Sequence, residues 1–112
     1  MHELGITRNI VAIVGDAAGG RRVRRITLEI GTLAGVMSDA IAFCFPVVAE
    51  GTPLEGAELD IRLIEARARC HACHSEFTMP TLYAPCPCGA RAVERLCGEE
   101  LKIATMEVEE AA

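Results

Sequence analysis

The chain has 112 residues, enough for one small domain carrying an inserted subdomain, and its 51% hydrophobic content excludes a disordered chain. A net charge of −5 argues against attraction to a polyanion, and 4% aromatics with no Trp leave few platforms for stacking bases, so nucleic acid is not an expected partner. No run approaches the roughly 18 consecutive apolar residues of a membrane span, and Glu3 and Asp16 interrupt any leader-like apolar stretch, which makes a cytoplasmic location the expectation.

Between Leu4 and Ala18, the residues Ile6, Ile10, Ile13, Val14 and Ala17 recur at helical spacing, and Gly19-Gly20 ends the pattern; an amphipathic helix is predicted. In VRRITLEIG, Ile26, Leu28 and Ile30 share one face opposite Thr27 and Glu29. That alternation predicts a half-buried strand with a phase change near its start at Val23. Ser38 and Asp39 are candidate caps for a second helix, in which Ile41, Cys44, Phe45 and Val48 form one stripe. Pro46 removes a backbone donor there, at a cost of about 3 kcal/mol, so a kink or a restarted helix is expected. After a turn at Gly56, Leu59, Ile61 and Leu63 line one face of a second strand. The stretch ELKIATMEVE supplies a third, in which Leu101 and Ile103 slip phase to Met106 and Val108; a bulge near Ala104-Thr105 would cause the slip. RRVRR from Arg21 reads as solvated turn and strand edge, or as a docking surface for an acidic partner, and the acidic end EVEEAA as a solubilising tail.

The order of elements implies an α/β (α+β) fold: two helices packed on a small three-stranded sheet, with an inserted zinc-ribbon-like subdomain. Residues 1–68 and 98–112 would form the α/β domain and residues 69–97 the insertion.

The insertion holds CHACH and PCPCGA, with twelve residues between Cys73 and Cys86, the layout of a paired-knuckle zinc site. About thirty residues with one Tyr and one Phe cannot bury enough surface to fold unaided, so a bound metal is needed to stabilise them. In a reducing compartment these thiols are better suited to a metal than to disulfides, although a CxxC redox protein is the competing reading. A closed tetrahedral set of four thiolates is structural, leaving no position open for substrate. Cys86 and Cys88 are separated by one residue where knuckles usually have two, so His71, His74 and Cys97 stay open as replacements for one thiolate. A zinc-ribbon module that binds protein or nucleic acid is the other competing reading.

At the opening MHELGI, a terminal amine, the backbone nitrogen of residue two and an imidazole on residue two can close small fused rings around one ion. Planar nitrogen ligation of this kind favours nickel(II) or copper(II) over zinc. The sequence has neither a GxxxxGK[ST] phosphate loop nor a nucleophile and base pair outside the cysteines, so a carrier is expected rather than an enzyme.

MHELGI, EIGTLAGV, FCFPVVAEGTPLEGAELDI, the two cysteine pairs and GEELKIATMEVE, in this order and spacing, resemble the HypA/HybF family of nickel metallochaperones in hydrogenase maturation. The resemblance implies a nickel-binding α/β domain and a zinc domain. It implies that His2 ligates nickel together with the Met1 amine and the backbone of His2 and Glu3, and that Cys70, Cys73, Cys86 and Cys88 hold a structural zinc. It further implies Ni(II) as cargo, a nickel-handling maturation GTPase and the large subunit of [NiFe]-hydrogenase as partners, with urease another possible client, and a monomer or weak homodimer as the working state.

Overall fold

The computed structural model describes residues 2–110. Helix α1 (Glu3–Ala18) turns Glu3, Thr7, Ile10, Val11, Val14 and Ala18 inward and stops at Gly19, whose left-handed backbone (φ 61°) lets its N–H bond the Asp16 carbonyl. The helix is where the spacing predicts it. Its buried face is rotated slightly from the expected one, since Ile13 is 58% exposed and Ala17 also faces solvent.

Strand β1 (Val23–Gly31) is the centre of the first sheet, parallel to β2 (Glu58–Ile64) and antiparallel to β6 (Leu101–Val108). The parallel pair requires a crossover, and α2 (Ser38–Ala49) provides it. Ile26, Leu28 and Ile30 of β1 pack in one core cluster with Ile10, Val11 and Val14 of α1 and Ile41 and Phe45 of α2. The pairing of β6 shifts register between Thr27 opposite Thr105 and Leu28 opposite Ile103, so Ala104 is the extra residue that the change from Ile103 to Met106 called for. A second irregularity lies between Val23 and Arg25, at the phase change near the start of β1. On β2 the alternation holds for Leu59 and Ile61 but fails at Leu63, which is 61% exposed near the strand's end.

Helix α2 differs from expectation at its start: its N-cap is Met37 rather than Ser38 or Asp39, and no side chain of the capping residue bonds the first turn. Of the two outcomes expected at Pro46, a restart does not occur: one helix runs through the residue, which lies on the solvent face, where water can reach the carbonyl that the proline leaves without a donor.

The cysteine-rich segment builds a sheet of its own. Strand β3 (Arg67–Cys70) lies between β4 (Glu76–Thr78) and β5 (Val93–Cys97), antiparallel to both. Ala66, Ala68, Cys70, Phe77, Met79 and Cys86 form its small core, with Leu33 packed against it.

The two sheets meet where β1 ends. The Gly31 N–H bonds the Glu100 carbonyl at 2.7 Å, the Leu33 N–H bonds the Gly98 carbonyl at 2.8 Å, and the Ala66 N–H donates to Thr32 Oγ1 at 3.1 Å. A Cβ on Gly31 would run into the Gly98 carbonyl, and one on Gly98 into Ala66. Gly98 also has φ of 117°, so both the approach of the chains and the backbone conformation require glycine there.

Candidate metal centre

The thiols of Cys70, Cys73, Cys86 and Cys88 come together, with all four Sγ atoms within 4.8 Å of one another. Strand β3 ends in Cys70, and a tight turn folds back to β4: the His74 N–H bonds the Cys70 carbonyl at 3.0 Å and the Cys70 N–H bonds the Ser75 carbonyl at 2.9 Å. His74 occupies the left-handed region there, with φ of 63°. Within this turn the N–H groups of Ala72 and Cys73 donate to Cys70 Sγ at 3.3 and 3.4 Å. Such donors favour a thiolate over a thiol.

The one-residue spacing of Cys86 and Cys88 is accommodated by the next turn. The Gly89 N–H bonds the Cys86 carbonyl at 2.7 Å, Gly89 takes φ of 94°, and the Cys86 N–H returns to the Ala90 carbonyl at 2.9 Å. Gly89 closes this turn in a left-handed conformation that a side chain would strain.

These contacts give the four thiols unequal acidity. The Cys73 N–H holds Cys70 below the ordinary thiol range. Ser75, through its hydroxyl and then its backbone N–H, brings Cys73 down to about 6. The Cys88 N–H pulls Cys86 the same way, but burial and the surrounding thiols outweigh it and push that thiol up to about 12. Four thiolates this close repel one another, and a divalent cation among them removes the conflict.

The arrangement fits zinc by a simple geometric test. Tetrahedral Zn–S bonds of about 2.3 Å place neighbouring sulfurs roughly 3.8 Å apart. The Cys70–Cys88 and Cys73–Cys86 Sγ separations are 3.7 and 3.6 Å. Two of the four residues are buried and two exposed.

The residues left open as replacement ligands lie elsewhere. His71 and His74 are exposed and outside the four-thiol group. Cys97 Sγ donates to the Glu65 carbonyl at 3.3 Å, at the junction of the two sheets. The contributions of Ser75 and of the Ala72 N–H were not legible in CHACH, because they depend on how the turn closes. Arg25 of the RRVRR run is engaged locally, between Glu58, Asp60 and Glu107 at 3.5 to 4.0 Å.

The other candidate site is the head of α1. Met1 lies outside the described residues. His2 is the N-cap, exposed and in the left-handed region (φ 65°), with its carbonyl accepting the Ile6 N–H at 3.0 Å. Behind it Glu3 is 9% exposed and accepts the Met37 N–H at Oε2, 3.0 Å away. That bond is the largest of the influences that bring the Glu3 carboxyl down to about 2. The structure thus gives Glu3 a role the sequence did not reveal: its side chain ties the start of α1 to the start of α2.

A family model described as "Hydrogenase/urease nickel incorporation, metallochaperone, hypA" matches residues 1–108. The chain belongs to the HypA family. Hydrogenase maturation factor HypA of a Nostoc species is 51% identical over 110 residues, covering 98% of this chain and 97% of that protein. The HypA of Geotalea uraniireducens is 48% identical, covering 97% of this chain and all of its own length. Two solution structures share the fold: the Ni metallochaperone HypA from Helicobacter pylori, with a TM-score of 0.64 at 21% identity and 96% of this chain covered, and another HypA protein, with 0.69 at 22% and 97% covered. The HypA resemblance read from the sequence blocks is therefore correct, as is the α+β fold with a cysteine-cluster region like a zinc site. The family model describes HypA proteins as metallochaperones of nickel incorporation.

Proposed function

We propose that this chain carries Ni(II) at its N-terminus for the maturation of [NiFe]-hydrogenase, with urease as a second possible client. Nickel is held by the Met1 amine, the His2 imidazole and the backbone nitrogens of His2 and Glu3. The observation that carries this reading is the setting of His2: an exposed imidazole at the head of α1, next to a carboxylate fixed to the backbone of the other helix. Planar nitrogen ligation suits nickel(II), and an exposed site allows nitrogens to be exchanged one at a time when a partner approaches. Anchoring by Glu3 keeps the chelating backbone in one place without enclosing the ion.

Cys70, Cys73, Cys86 and Cys88 hold Zn(II), which stabilises residues 69–97 and takes no part in delivery chemistry; residues 1–68 and 98–112 form the nickel-binding domain. Bound zinc supplies the positive charge that lets four neighbouring thiols remain ionised together. The chain works in the cytoplasm, as a monomer or weak homodimer, with a nickel-handling GTPase and the hydrogenase large subunit as partners. No helix among the described residues is long and apolar enough to cross a membrane.

His2→Ala tests the division of labour between the two sites. The variant is expected to lose nickel affinity by more than the roughly 10–100-fold typical of removing an outer-shell partner, while zinc content and circular dichroism stay as in the parent. Loss of zinc with retention of nickel would reverse the assignment.

A further inference from the structure

Helix α2 is apolar on both sides. Ile41, Phe45 and Ala49 fill the core, while Ala42, Phe43, Pro46 and Val47 form a stripe at helical spacing on the solvent face. Phe43 is 83% exposed and Val47 68%, and Met37 at the head of the helix is 66% exposed. A single exposed apolar side chain needs no explanation, but a helix apolar all round is ordinarily covered all round. Asp39 in the first turn and Glu50 just past the last turn bracket the stripe, both exposed, and α2 itself carries no Lys or Arg. Met37, whose N–H holds the Glu3 carboxylate, stands at the head of the same helix.

We propose that this face of α2 is a docking surface for a partner protein that offers an apolar groove rimmed by Lys or Arg side chains. The apolar stripe supplies the buried centre of the contact, and Asp39 and Glu50 pair with the basic rim and set orientation. The docking surface does not rest on the nickel reading above.

The test titrates the purified full-length chain, by calorimetry at low and high salt, against two probes: the nickel-handling GTPase and the hydrogenase large-subunit precursor. Light scattering on the chain alone gives its oligomeric state. The parent is expected to bind at least one probe, and Phe43→Asp and Val47→Asp each to weaken that binding by about tenfold or more, as central apolar contacts do. Glu50→Lys is expected to weaken binding and flatten its salt dependence. Tyr83→Asp, on an 85% exposed side chain in the cysteine-rich segment, is expected to change nothing. Zinc content and thermal midpoint monitor folding throughout.

Unchanged affinity in Phe43→Asp and Val47→Asp overturns the proposal, as does failure of the parent to bind either probe. A parent dimer that Phe43→Asp converts to monomer also overturns it, since the face is then covered by a second copy. His2→Ala separates the two readings: loss of its nickel with docking unchanged supports both, and retention of nickel removes the carrier reading while leaving the docking surface in place.

Discussion

Met37 donates its backbone N–H to the carboxylate of Glu3 at 3.0 Å, across 34 residues of sequence. The bond joins the first residue of α1 to the capping residue of α2, where a Ser, Thr or Asp side chain would ordinarily cap from within. Its consequence for pH follows from the sign of the shift. A carboxyl held near 2 in the folded chain, against an ordinary 4.5, adds stability that is fully present above 4.5 and is lost as pH falls from there toward 2. Glu3→Gln is expected to lower the thermal midpoint at neutral pH, with the gap to the parent closing on acidification below about pH 4.5. Melting curves from neutral pH downward check this, and a gap that does not change with pH would contradict it.

Gly31 and Gly98 meet where β1 gives way to the second sheet, and neither has room for a Cβ. Gly31→Ala and Gly98→Ala are each expected to destabilise the fold by roughly 1–3 kcal/mol, as overpacking does, with Gly98→Ala the worse because of its positive φ. Gly5→Ala, at a helical position with open space, is expected to be neutral or stabilising. Urea denaturation of the three variants gives the ranking.

How much of this the sequence revealed depended on the range of the interactions involved. The ends of α1 were legible because Gly19 follows the last periodic residue, and the bulge at Ala104 because one residue too many separates Ile103 from Met106. The four cysteines were legible as two pairs. Their turns were not: the one-residue spacing of the second pair leaves its fourth ligand open, and only the folded turn brings the Cys88 thiol to 3.7 Å from that of Cys70. Met37 as a cap was out of reach, since its partner is remote in sequence and a Met-Ser-Asp run favours the polar residues on propensity alone. Gly98 was similarly opaque, because a glycine needed for the close approach of another chain segment looks the same in sequence as one needed for a turn.

The zinc ligand set separates from the remaining cysteines by substitution. Cys70→Ser and Cys86→Ser are expected to lower zinc content well below one per chain and to loosen the second sheet, whereas Cys97→Ser, whose thiol bonds the Glu65 carbonyl, is expected to keep one zinc per chain. Elemental analysis of protein purified under reducing conditions decides. Equal zinc loss in all three variants would mean that the cluster has been misread.

The carrier reading depends on an unblocked amine next to His2, and extending the chain is the most direct way to remove it. Nickel titration of the chain beginning at Met1 is to be compared with that of a chain bearing a short N-terminal extension of Gly and Ser, with zinc content matched. Nickel affinity is expected to fall steeply on extension while fold and zinc are unchanged. Equal affinity in the two would place the nickel ligands elsewhere and contradict the account.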